Sequence, residues 1–74
     1  MYEHMRALRE DHDLSQSDVA NILHVHQTTY SEYERGMINI PVAHLKRLAL
    51  LYHTSIDYLV DFTNDPAPYE RTGA

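Results

Sequence analysis

The sequence predicts an all-α domain of five short helices, and three observations predict it. Apolar residues recur at three- and four-residue intervals along most of the chain, which is the helical period. Helix punctuation falls between the periodic runs: Ser15 three residues before Asp18, Gly36 after a Tyr-rich segment, Pro41 ahead of another run. The 74 residues include 2 Gly and 3 Pro, and Pro66 and Pro68 sit near the C-terminal end, so the composition favours helix.

Taken in order, helix 1 is expected from about Tyr2 to Asp11, with Met1, Met5, Leu8 and His12 at helical spacing. Leu14 anchors the turn that follows. Ser15 and Asp18 form a capping box that starts helix 2 at Gln16. Val19, Ile22 and Leu23 are its buried stripe, and Ala20 is small where another helix can approach. His24 to His26 form the next turn. Helix 3 is expected over about Gln27–Arg35, stopped by Gly36 as a left-handed cap. Its two faces differ in kind. Tyr30 and Tyr33 share one; Gln27, Thr28, Ser31, Glu32 and Arg35 share the other.

Met37 to Ile40 read as a loop. Pro41 suits the first turn of helix 4, where its missing N–H costs nothing. Val42, Leu45, Leu48, Ala49 and Tyr52 form that helix's core stripe. Thr54 or Ser55 caps helix 5, Asp57 is favourably placed in its first turn, and Ile56, Leu59 and Val60 face inward. The chain then divides into a domain over residues 1–62 and a flexible C-terminal tail over 63–74. Five short helices must share one small core, so the polar face of helix 3 is expected to face solvent.

Several function classes fall away on composition. There is no Cys, hence no disulfide framework and no thiolate metal site. No apolar run approaches the ~18 residues of a membrane span. The start, MYEHMRALRE, is charged too early for a signal peptide, and a cytoplasmic location is expected. No Ser/His/Asp or Cys/His constellation and no phosphate-cradling Gly loop appear, so no enzyme and no cofactor are expected. His24 and His26 are spaced like a metal pair, but no Cys or well-spaced carboxylate completes a site. His24 has a turn explanation, because His tolerates a left-handed backbone better than most residues, and His26 falls at the N-terminal cap of helix 3. No metal is expected.

The ordered set of residues resembles the XRE, or lambda-repressor-like, helix-turn-helix family of bacterial and phage regulators. The matching elements are Leu14-Ser15-Gln16, Val19-Ala20, Leu23-His24-Val25, Thr29-Tyr30-Ser31 and Tyr33-Glu34-Arg35-Gly36. Ile40-Pro41, Leu48-Ala49 and the run Tyr52 to Leu59 complete it. The resemblance covers roughly Met5 to Phe62. It implies a five-helix lambda-repressor-like domain in which helices 2 and 3 form the helix-turn-helix and helix 3 lies in the major groove of double-stranded DNA. It also implies roles by position: Gln27, Thr28, Ser31 and Glu32 toward bases, Gln16 and Asn39 toward phosphates, and Arg9 with Glu34 as a structural ion pair.

The side-chain chemistry supports such roles independently. Gln can pair bidentately with adenine N6/N7, Thr can meet a base edge or the thymine methyl, and Glu can accept from cytosine N4. The start of helix 2 offers free N–H groups to a phosphate. The expected function is a sequence-specific transcriptional regulator, a repressor, acting as a homodimer on DNA through helix 5, where Tyr58 and Phe62 lie.

Charge opposes that expectation. The chain carries 11 Asp+Glu against 6 Lys+Arg, whereas DNA-binding domains are usually basic. Residues 1–49 hold 5 basic and 7 acidic side chains, residues 50–74 hold 1 and 4, so the excess is greatest toward the C-terminal end. The loop Met37–Ile40 has no cation, and position 61 is Asp where similar sequences often have Gly. A protein-interaction or antitoxin-like module with a protein partner and weak DNA binding is therefore the second expectation. Six His could raise DNA affinity as the pH falls toward 6.

Overall fold

The computed structural model describes residues 1–68; residues 69–74, half of the expected tail, lie outside the described residues. Five helices follow one another: α1 (Glu3–Asp11), α2 (Gln16–Leu23), α3 (Gln27–Glu34), α4 (Val42–Tyr52) and α5 (Ile56–Leu59). There is no strand among the described residues.

Local chemistry sets most boundaries. Ser15 Oγ accepts from the Asp18 N–H at 3.0 Å while the Asp18 carboxylate accepts from the Ser15 N–H at 2.8 Å, a complete capping box at the start of α2. The Ser15 amide first, and the Ser15 hydroxyl second, hold the Asp18 carboxyl below its usual range. His24 ends α2 with φ 59° and His53 ends α4 with φ 52°, both left-handed. Gly36, at φ 71°, closes α3 by sending its own N–H to Tyr33 O and leaving the Met37 N–H to reach Glu32 O. Of the two candidate caps for α5, Ser55 takes the role, accepting from the Tyr58 N–H at 3.1 Å. Thr54 turns elsewhere, donating to Pro66 O at 2.8 Å and tying residues 63–68 to the domain.

Three boundaries differ from expectation. α1 begins at Glu3 and α3 ends at Glu34, each one residue inside the expected range. Pro41 stands at the N-cap of α4, with ψ 142°, rather than in its first turn. Its carbonyl accepts from His44 and Leu45, so it opens the helix from outside.

α2 packs on α3, α4 on α5, and α1 spans α5 and α3. The core is Met5, Val19, Ala20, Leu23, Tyr30, Tyr33, Leu48, Tyr52 and Leu59. Tyr30, Met5, Leu48, Leu59 and Val19 are its largest fully buried side chains; burial of the last four contributes about 1.5–3 kcal/mol each. Met1, His12 and Val42 sit on the expected stripes but are exposed. Met1 precedes α1, His12 is its C-cap, and Val42 is the first residue of α4, so each stands at a helix end beyond the packed turns.

Both ends of the domain meet. The N-cap residue Tyr2 offers no side-chain bond to α1. Instead Asp61 accepts from the Glu3 N–H at 2.9 Å and the His4 N–H at 3.0 Å, one amide per carboxylate oxygen. Asp61 does this from φ 61°, a left-handed conformation that Asp tolerates better than most residues. The His4 ring stacks on Tyr58 with centroids 3.9 Å apart, and its Nδ1 donates to Tyr58 O at 2.8 Å. Tyr58 is half-buried in consequence, whereas Phe62 is 82% exposed.

Candidate nucleic-acid interface

The site grows from the two faces of α3. Its inner face carries Tyr30 and Tyr33, which are buried and meet edge to face with centroids 6.4 Å apart. With those rings fixed inward, the helical period turns Gln27 and Thr28 fully outward and leaves Ser31 and Glu32 half-buried at the margin. Arg35 and Asn39 are exposed beyond them. α3 is held against α2 by the turn: the Val25 N–H reaches Ala20 O at 2.9 Å, and His26 stands at the N-cap of α3 in extended conformation.

Behind α3 lies Glu34, buried although charged. Arg9 Nε donates to its Oε2 at 2.6 Å and Nη2 to its Oε1 at 3.4 Å, while Nη1 donates to Leu14 O at 2.9 Å. The Glu34 hydrogen bond raises the Arg9 pKa despite partial burial, so this cation is permanent. Gln16, half-buried at the start of α2, extends Nε2 to Glu34 Oε1 at 3.4 Å. The Tyr2 N–H donates to the Glu34 carbonyl at 2.8 Å. Arg9, Gln16 and Tyr2 thus hold the end of α3 from α1, α2 and the N-terminal segment. Tyr30 lies beside the same carboxylate, and burial first, Glu34 second, holds its hydroxyl protonated far above the ordinary range. The same two causes push Tyr52 up to about 12.

The expected contact residues are therefore not equivalent. Gln27, Thr28 and Asn39 are exposed, Ser31 and Glu32 flank them, and Gln16 is drawn inward by Glu34. The anchoring roles of Tyr2 and Asp61 were not foreseen. The Tyr2 contact is made by a backbone amide, which no residue pattern marks. For Asp61 the one signal was an Asp at a position where Gly is common. A surface hollow of about 600 Å3 is lined by Lys46, Ala49, Leu50, His53, Thr54, Ile56 and Pro68, none of them an expected contact residue. Among the described residues no group of three or more His, Cys, Asp or Glu could hold a metal. No helix among them is long and apolar enough to cross a membrane.

Two short helices locked by a tight turn, the second showing a polar outer face, define a helix-turn-helix domain. A family model described as helix-turn-helix matches residues 5–59. The uncharacterized HTH-type transcriptional regulator YobD of Bacillus subtilis (strain 168) is 33% identical over 66 residues, 89% of this chain and 59% of the relative. The chain belongs to the XRE-type helix-turn-helix family of DNA-binding regulatory domains, with a lambda-repressor-like fold. It spans about three fifths of the length of that curated relative. No solved structure matches it.

Proposed function

We propose that the domain is a sequence-specific DNA-binding transcriptional regulator, a repressor that covers promoter DNA, with α3 reading the major groove. The observation that carries this is the outer face of α3. Gln27 and Thr28 are exposed at its first turn, no side chain among the described residues bonds to theirs, and Ser31 and Glu32 continue the strip. Membership of the family and the regulator named among its relatives support the same reading. Gln27 suits adenine, Thr28 a thymine methyl, and Glu32 a cytosine amino group. Gln16 and Asn39 are the phosphate contacts, Gln16 by leaving its long bond to Glu34.

With few cations, affinity for random DNA should be weak, because non-specific binding follows the number of phosphates neutralised. A two-fold homodimer using Phe62 would restore strength by engaging two half-sites about 34 Å apart. In-vitro selection of bound duplexes tests the reading. We expect a paired half-site motif, and a titration with it should perturb Gln27, Thr28 and Glu32 first. A best selected sequence that binds no better than random duplex at low salt would overturn it.

A second reading is favoured by one observation. The loop after α3 exposes Met37 and Ile38, at 64% and 38%, beside Val42 at 61%, with no cation among them. Such a surface suits a protein partner, as in an antitoxin-like module. A stoichiometric protein complex formed through α3 and this loop, with no DNA enrichment, would decide for it; a neighbouring toxin gene would agree.

A further inference from the structure

The proposed DNA face carries one permanent cation, Arg35, which Glu32 offsets, and residues 37–40 add none. Imidazoles, the side chains that can change charge near neutral pH, are plentiful, and the structure sorts them. His4 is committed to Tyr58 and Asp61, with Nδ1 2.8 Å from the Tyr58 carbonyl and 3.2 Å from the Asp61 carboxylate. His12 donates to Leu8 O at 2.8 Å and packs against Tyr52. His44 shares a hydrogen bond with the Tyr33 hydroxyl at 3.1 Å. His53 is exposed but lines the hollow by α5. His24 and His26 remain, both exposed, both in the turn that leads into Gln27 and Thr28. His26 occupies the N-cap of α3 yet makes no capping bond, so its ring is uncommitted.

We propose, resting on the DNA-binding reading above, that His26 and His24 are the phosphate-neutralising residues of this domain, charged on binding rather than beforehand. Around them, the charged groups of α2 and α3 are Asp18, Glu32 and Glu34, followed by Arg35. Asp18 is held by Ser15 and Glu34 by Arg9. Among the described residues no carboxylate lies within 4.0 Å of either ring; the one His–acid pair is His4–Asp61. A DNA phosphate therefore meets no internal competitor for these imidazoles.

The complex holds more protons than the free protein, so affinity rises as pH falls through the imidazole range, about 5–8. Each imidazolium held on a phosphate also adds up to about 0.9 to the salt slope. A duplex chosen by in-vitro selection, titrated at pH 6 and pH 8 over a salt series, tests this. The double variant His24→Asn/His26→Asn is the informative one, because Asn accepts both a left-handed position and an N-cap. Thermal unfolding at both pH values checks that it folds.

We expect the unsubstituted protein to bind about tenfold more tightly at pH 6, with a steeper salt slope, as for one or two added phosphate contacts. The double variant should lose most of that gain, and His53→Asn should keep it. A double variant with the full pH response, or an unsubstituted protein that binds the duplex equally at both pH values, would overturn the inference while leaving DNA binding intact. Failure to bind any duplex above random at either pH would overturn the DNA-binding reading and this inference with it.

Discussion

Glu34 shows what one residue can hold in a small helical domain. Its side chain accepts from Arg9 and Gln16, and its carbonyl accepts from Tyr2. Removing one member of a buried ion pair leaves the other charge without compensation. Arg9→Met is expected to destabilise by about 3–5 kcal/mol, and Arg9→Met with Glu34→Leu to recover most of that. Denaturant unfolding of the two variants measures both. An Arg9→Met protein as stable as the parent would show that water reaches Glu34. Much at this scale was legible. Tyr30 and Tyr33 share a helical face, which foretold their burial, and the turn position of His24 foretold its left-handed backbone. The inward pull on Gln16 was not legible, because its partner lies 18 residues away and a Gln at a helix start reads as free.

Among the elements, α2 is the best specified by its own residues. Ser15→Ala removes one bond of the capping box, and N-cap deletions cost about 1 kcal/mol. The box also carries a pH signature. Asp18 has its pKa lowered in the folded state, so its contribution is complete above the ordinary aspartate range and is lost as pH falls through the lowered value. Asp18→Asn, which removes the titrating group, should therefore flatten the acid side of the stability profile relative to the parent. Melting temperatures from pH 5 to pH 2 for the two proteins test this; parallel profiles would argue against it. The order and number of helices were legible because each has its own start or stop residue. The inward stripes were overdrawn at their ends, since periodicity marks a face but not how far the neighbouring helix extends along it. Met1 and Val42 are the cases in point.

For the molecule as a whole, Asp61 matters most. Its carboxylate closes α1 from 58 and 57 residues away. Sequence reasoning could mark the residue as unusual but could not supply its partner, because nothing local connects it to Glu3 or His4. Asp61→Asn should keep one acceptor and the left-handed backbone, with a small loss of stability. Asp61→Ala should lose the cap, about 1 kcal/mol, and strain the backbone by about 1–2 kcal/mol more. Asp61→Gly should restore only the second part. Equal stability in all three, by chemical denaturation, would remove Asp61 from the fold's supports. The placement of this cap also bears on how the protein is made. Within this domain α1 is synthesised before the other helices but can be completed only by a residue near the far end of the domain. Synthesis must therefore run past Asp61 before α1 finds its cap.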